Sequence, residues 1–260
     1  MVAVPGFPLK EEDYDIRPSG LAPSFTLPGL GIWGAYAQYL ELPAKFVLKD
    51  NTGLSPEDLA TLPVVLATSV RAVKVVGEVK AGDKVLIQSG SSGSGSMQIQ
   101  VAKALGADVA TTIRSEAKAE TVKSLGADLI INTRNEDFVA ATQKWTDGRG
   151  IDVVIDNLGG DVLAKSIDAV KGQGLVVAYG FTAGTEVTFD IRNFFFGQKH
   201  LIGTMASDVE DFQWGLDQIK KGVIKPLLDR ALPLSEAAQA HRLIADNQVV
   251  GNIVLMPWAA

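Results

Sequence analysis

The chain has 260 residues, 47% of them hydrophobic and 21% charged, the balance of a globular protein with core enough for one or two domains. A net charge of −6 argues against general nucleic-acid binding, and the absence of cysteine excludes disulfides and cysteine-ligated zinc. No apolar run reaches membrane-spanning length, and Met1-Val2-Ala3-Val4-Pro5 lacks the basic region of a secretory signal, so the cytoplasm is the expected compartment.

Residues 1–31 are interrupted by Pro5, Pro8, Pro18, Pro23 and Pro28 and read as irregular, turn-rich chain. Ile32–Leu42 alternates enough for a strand, with Tyr36 and Tyr39 as β-formers. Ser55-Pro56-Glu57-Asp58 opens a helix: serine cap, proline in the first position, acids in the first turn. Pro63 interrupts it, and Val64–Val76 forms a second, mostly apolar helix.

From Val85 strand and helix alternate. The expected strands are Val85–Gln88, Val109–Ile113, Leu129–Asn132, Val153–Asp156, Leu175–Tyr179 and Leu201–Thr204. The helices between them are Ser94–Leu105, Ser115–Leu125, Asp137–Trp145 and Val162–Val170. Two Leu-Gly-Ala-Asp tetrads, Leu105–Asp108 and Leu125–Asp128, each end a helix on a left-handed glycine. The fold class is therefore α/β: a doubly wound, six-stranded parallel sheet of Rossmann type, in order 3-2-1-4-5-6 because crossovers are right-handed. Helices Asp208–Lys221 and Ser235–Ala245 and a strand Val249–Leu255 follow.

Ligands bind such sheets at the carboxyl ends of the strands, where the order reverses. The first strand ends there in Gly90-Ser91-Ser92-Gly93-Ser94-Gly95-Ser96, and Met97, Val101 and Leu105 then begin a helical stripe. Small residues let the backbone approach a pyrophosphate, and the helix start offers it N–H groups and a positive dipole end. The residue that reads the adenosine ribose belongs about 20 positions on, at the end of strand two. That stretch, Ala110-Thr111-Thr112-Ile113-Arg114-Ser115, holds no acid, and Arg114, Ser115 and Lys118 suit a 2′-phosphate. The competing account is a solvated helix start. The missing acid and the present cations agree on NADPH.

Several stretches stand in the order seen in medium-chain dehydrogenases/reductases. They are Leu62-Pro63-Val64, Lys80-Ala81-Gly82-Asp83-Lys84-Val85-Leu86-Ile87, Gln100-Val101-Ala102-Lys103-Ala104-Leu105-Gly106-Ala107, Gly150-Ile151-Asp152-Val153-Val154-Ile155-Asp156, Gly159-Gly160 and Gly251-Asn252-Ile253-Val254-Leu255. The chain resembles that superfamily from Trp33 to Leu255, and within it the zinc-independent quinone oxidoreductase branch. The resemblance implies hydride transfer from NADPH to a quinone, an enone or another small carbonyl compound, with no metal. It assigns Gly90–Ser96 to the pyrophosphate and Arg114, Ser115 and Lys118 to the 2′-phosphate. It places Thr68, Asn157, Gly180, Phe181 and Thr182 on the ribose and nicotinamide side, and Asn252 near the coenzyme phosphates. Ser96 departs from the family pattern, standing where a third glycine is usual.

Family members carry a barrel-like, GroES-like catalytic domain before the position of Trp33. Here only its late part has a counterpart, so the chain looks shortened at its start. The implied division is residues 1–64, a partial catalytic domain; 65–207, the dinucleotide-binding domain; and 208–260, a segment returning to the catalytic domain. Phe7, Phe25, Leu27, Ile32 and Trp33 should then be exposed. Tyr36 and Tyr39 are candidate proton donors, at least one of them expected in the core, and no catalytic donor is identifiable. His200 and His241 read as surface or packing residues. A homodimer through the free edge of Leu201–Thr204 is expected. Two other readings remain: an NADPH-binding structural or interaction protein without turnover, and an alcohol dehydrogenase-type carbonyl reductase.

Overall fold

The computed structural model describes residues 1–259. The chain divides into two compact units. One comprises Met1–Val70, Ser92–Met97 and the chain from Met205 on; the other comprises Arg71–Ser91 and Gln98–Thr204. The first break therefore falls after Val70 rather than at residue 64.

The first unit opens with four two-residue strands, β1 (Val2–Ala3), β2 (Phe7–Pro8), β3 (Phe25–Thr26) and β4 (Val47–Leu48). β1 pairs antiparallel with β4, and β2 with β3. Prolines keep them short, because each removes a ladder donor. Aromatic packing compensates. Phe7 is fully buried and stacks on Phe46 at 5.1 Å between ring centroids, and Tyr14 meets Phe46 edge-on at the same distance. The expected exposure of Phe7 is thus corrected; Phe25, Leu27 and Ile32 are half-buried, and only Trp33, at 93%, is open to water. The expected strand over Ile32–Leu42 is absent. The stretch is a series of bends in which Ile32 alone makes a bridge, to Pro28. Alternation specifies a strand only where a neighbouring strand takes its backbone groups.

α1 (Pro56–Ala60) starts as expected, with Ser55 Oγ accepting the Asp58 N–H at 3.0 Å. Pro63 lies in the first turn of α2 (Leu62–Val70), where a missing N–H costs nothing, and α2 runs on into a π-helical stretch, Arg71–Val76.

In the second unit the elements run β5 (Lys84–Ile87), α3 (Gly93–Ala104), β6 (Asp108–Ile113), α4 (Ala119–Ser124), β7 (Leu129–Asn132), α5 (Phe138–Trp145), β8 (Ile151–Asp156), α6 (Gly160–Ala169), β9 (Val170–Ala178), α7 (Ile191–Phe196) and β10 (His200–Gly203). The first turn of α3 belongs to the first unit. The six strands are parallel, in spatial order β10-β9-β8-β5-β6-β7, which is the expected 3-2-1-4-5-6 read from the other edge. Val85, Leu86 and Ile87 are fully buried, as are Val154 and Ile155. Each such side chain contributes about 1.5–3 kcal/mol by leaving water. Gly106 (φ +86°) and Gly126 (φ +103°) are the left-handed caps that the two tetrads imply. α7 has no signal in the sequence pattern, where three consecutive phenylalanines hide any helical period; Asp190 caps it through the Arg192 N–H at 2.9 Å.

The remaining elements return to the first unit: α8 (Val209–Lys220), β11 (Leu228–Pro233), α9 (Ala237–Ala245) and β12 (Asn252–Met256). Phe212, Leu216 and Ile219 form the buried face of α8, as their spacing implies. A side chain at Gly215 would come within 2.7 Å of Leu66, so α8 lies close on α2. That contact keeps α2 in this unit. β11 pairs parallel with β12 and was not foreseen, since Asp229, Arg230 and Pro233 blur its apolar pattern.

At the amino end of the sheet the Asp152 carboxylate gathers its neighbours. It accepts two bonds from Arg149, at 2.8 and 2.7 Å, one from the Lys84 amide at 2.7 Å, and an ion pair from Lys171. Burial by itself would raise the Asp152 pKa, but these donors together hold it well below the ordinary carboxylate range. Because the folded value is depressed, the stability it contributes is complete above the unfolded value of about 3.9 and drains away as pH falls below it. Asp152→Asn should cost about 2–3 kcal/mol near neutral pH, the strength of a charge-assisted bond. Melting curves should show the gap between the two proteins closing as pH drops from about 4 toward 2; a gap independent of pH would count against this role.

Candidate functional site

The candidate residues divide between the two units. In the sheet unit, β5 runs into buried Gln88 and then Ser89, which adopts φ +58°. The Ser89 N–H donates to Thr112 Oγ1 and the Gly90 N–H to the Thr112 carbonyl, both at 2.9 Å. Gly90 admits no side chain: a Cβ there would sit 2.2 Å from Thr111 Oγ1. Ser91 is buried beside it.

In the first unit, Ser92–Ser96 opens α3. Ser92 Oγ accepts the Gly95 N–H at 3.0 Å, which makes Ser92 the cap. Ser96, in the place of a third glycine, turns its hydroxyl back on the Gly93 carbonyl at 2.8 Å and is buried. Gly93 lies against Asn252, whose Oδ1 would be 2.2 Å from an added Cβ. Asn252 is held by the Leu227 carbonyl, which accepts from its backbone N–H at 3.0 Å and its Nδ2 at 3.3 Å. Ser92 also bridges Gly251, a left-handed glycine at φ +84°. Ser69 Oγ donates to the Ser94 carbonyl at 3.3 Å, and half-buried Thr68 precedes Ser69 on α2. Asn252 is thus beside the start of α3.

The other candidates lie in the sheet unit. Arg114 is exposed just past β6, Ser115 is half-buried, and Lys118 is only 6% exposed, so the two cations occupy different environments. The Lys118 N–H donates to the Ser115 carbonyl at 3.1 Å. Past β8, the Asn157 carbonyl accepts Thr182 Oγ1 at 3.3 Å, and Gly180 lies so close that a Cβ would fall 2.5 Å from that carbonyl. Phe181 is 70% exposed. Asn157 Oδ1 is buried with no hydrogen-bond partner, an uncompensated cost for which a ligand donor is one remedy. Asp156, which sequence reasoning passed over, is fully buried and accepts the N–H groups of Leu158 and Gly159 at 2.8 and 2.9 Å. An acid ending an otherwise apolar strand was the available signal.

Tyr36 and Tyr39 are both exposed, which corrects the expectation that one is core. The Tyr36 hydroxyl is 3.0 Å from His241 Nε2, and Tyr39 meets Trp258 edge-on. An open apolar recess of about 440 Å³ lies at α7, lined by Ile191, Arg192, Phe194, Phe195, Gln198 and Lys199. None of the candidate residues lines it. Among the described residues, no helix is long and apolar enough to cross a membrane.

The family model described as zinc-binding dehydrogenase matches residues 93–221. A 2-haloacrylate reductase from a Burkholderia species is 34% identical over 238 residues, covering 87% of this chain and 72% of that protein. The chain belongs to the medium-chain dehydrogenase/reductase superfamily. A quinone oxidoreductase from Pseudomonas aeruginosa is 28% identical over 236 residues, 87% of this chain and 73% of that protein. The solved structure of the 2-octenoyl-CoA carboxylase reductase CinF, in complex with NADP and 2-octenoyl-CoA, is 26% identical. It superposes with a TM-score of 0.85 over 91% of this chain and 58% of that one.

The family model's description names zinc, and the CinF structure holds NADP. Zinc does not fit: the chain has no cysteine, and the described residues contain no group of three or more His, Asp or Glu able to hold a metal. A nicotinamide coenzyme does fit, by the orphaned Asn157 Oδ1 and by turns at Gly90 and Gly93 that exclude a Cβ. Gly93→Ala would push the Asn252 amide aside while leaving a good helix former in the first turn. Melting temperature should fall slightly, as the Asn252 bond to Leu227 is disturbed, and coenzyme affinity should fall about fivefold, the worth of one hydrogen bond. A fluorescence titration reads this; affinity unchanged in Gly93→Ala would remove Asn252 from the site.

Proposed function

We propose that this chain is a cytoplasmic, zinc-independent NADPH-dependent reductase that passes hydride to an α,β-unsaturated carbonyl compound or a quinone. The observation that carries the reading is the serine-capped start of α3, where Ser92 binds the Gly95 N–H and no side chain fits at Gly93. Backbone amides at a twelve-residue helix start suit a pyrophosphate. When bound, the coenzyme supplies the hydride. The protein binds and orients. Arg114 would meet the 2′-phosphate in water-accessible surroundings, and the buried Asn157 Oδ1 would take a hydrogen bond from the ribose or carboxamide. Gly180 and Thr182 would line that half, with Phe181 as an apolar wall.

A second reading, coenzyme binding without turnover, draws on one observation. Around Asn157, the side chains of Phe181 and Thr182 include no strong acid to protonate an enolate. Following NADPH oxidation after addition of an enone or a quinone separates the two: binding without oxidation selects the second.

With Arg114 as the exposed cation, a charge-assisted bond discounted for screening leaves about 1.4 kcal/mol, or about tenfold, in favour of NADPH over NADH. Arg114→Gln should abolish that preference, and rising salt should shrink it in the unmodified protein. Equal affinities for both coenzymes at low salt would leave Arg114 as a solvated side chain only.

The reading includes a homodimer. β10 is the sheet's edge strand and all four of its residues are exposed; nearby in sequence, Phe195 and Phe196 are exposed too. An unpaired strand edge with apolar side chains invites its own two-fold copy. Ile202→Lys should halve the sedimenting mass, and a mass indifferent to this charge would argue for another interface.

A further inference from the structure

Two turns of the sheet unit carry candidate coenzyme contacts: Ser89–Ser91 after β5 and Asn157–Gly160 after β8. A line of buried side chains joins them. The Ser89 N–H donates to Thr112 Oγ1 at 2.9 Å, and Thr112 Oγ1 donates to Gln88 Oε1 at 2.7 Å. Gln88 Nε2 donates to Ser166 Oγ at 3.2 Å, and Ser166 Oγ donates to Asp156 Oδ2 at 2.7 Å. The other oxygen, Asp156 Oδ1, holds the Leu158 and Gly159 N–H groups. Every donor from Ser89 onward points toward Asp156. Gln88, Thr112, Asp156 and Ser166 are all buried, and they come from β6, β8, α6 and the residue just past β5.

Three features give this line a role beyond filling space. A buried polar group that loses its partner bears its full desolvation cost, so a bond broken at either end is not replaced by water. Hydrogen bonds in series and away from water polarise one another, so the members respond together. Ser89 holds φ +58°, a conformation that non-glycine residues seldom adopt, and its N–H is fixed by Thr112. The amide of Gln88 is central because it accepts at one end and donates at the other.

We propose that Gln88 is a positioning residue that couples the pyrophosphate turn to the nicotinamide-side turn, so that the geometry of one half of the coenzyme site sets the affinity of the other. The proposal rests on the coenzyme reading above.

The test titrates NADPH and 2′,5′-ADP against the unmodified chain and against Ser166→Ala, Thr112→Val, Thr112→Ser and Gln88→Leu, with a melting curve for each. The probe 2′,5′-ADP has no nicotinamide half and cannot touch the Asn157 turn. Ser166→Ala cuts the line at its Asp156 end, yet it should weaken 2′,5′-ADP at least fivefold. Thr112→Ser, which keeps the hydroxyl, should stay within twofold of the unmodified chain. The double variant of Ser166→Ala and Thr112→Val should match the worse single within twofold, since one cut already breaks the line. Should Gln88→Leu fail to fold, these hydroxyl variants carry the test. Ser166→Ala that melts earlier but binds 2′,5′-ADP within twofold of the unmodified chain overturns the proposal, as do losses that simply multiply in the double variant. Failure of the unmodified chain to bind NADPH or NADH would instead overturn the coenzyme reading, before any variant is compared.

Discussion

The carboxyl end of the parallel sheet depends on one buried side chain, Asp156. A carboxylate out of water must have its oxygens bonded, and here the donors come from the two residues that begin the next turn and from Ser166 on α6. Satisfying Asp156 therefore fixes the path of the chain as it leaves β8. Gly159 and Gly160 complete that path. Both have positive φ, and both lie so near the carbonyls of Ala183 and Gly184 that no side chain could be added. The loop beyond β9 is shaped by the same requirement.

The two ends of the sheet solve the burial of polar groups differently. At the amino end the solution is ionic: Asp152 takes Arg149 and Lys171, and Lys84 pairs with Asp108 at 2.9 Å. Three cations meet two carboxylates there. At the carboxyl end the donors are hydroxyls, an amide and backbone N–H groups, all neutral. Arg114 and Lys118, just past β6, are the cations nearest this end in sequence.

The sheet was legible in the sequence because strands buried on both faces read as continuous apolar runs, and because left-handed glycines mark where helices stop. Val85–Ile87, Gly106 and Gly126 show both. The glycine turn was legible for the same reason, since Gly90 and Gly93 are small where neighbours leave no room. Other features had no local signal. The line through Gln88, Thr112 and Ser166 joins residues far apart in the chain, each of which alone looks like an ordinary polar residue. Burial of Phe7 needs Phe46 and Tyr14 beside it. The alternation around Tyr36 suggests a strand, but a strand needs a partner to pair with. Lys118 resembles Arg114 in sequence, yet one is buried and the other open, because the chain turns into a short 3-10 segment between them.

The gap at Gly93 is filled by Asn252, which comes from the far end of the chain. During synthesis the glycine turn emerges long before this neighbour exists. Until β12 has been made and has docked, the start of α3 lacks the amide that packs against it, and closing so long a loop is slow compared with forming the local helix. The turn at Gly93 therefore rests on a contact of very high sequence separation.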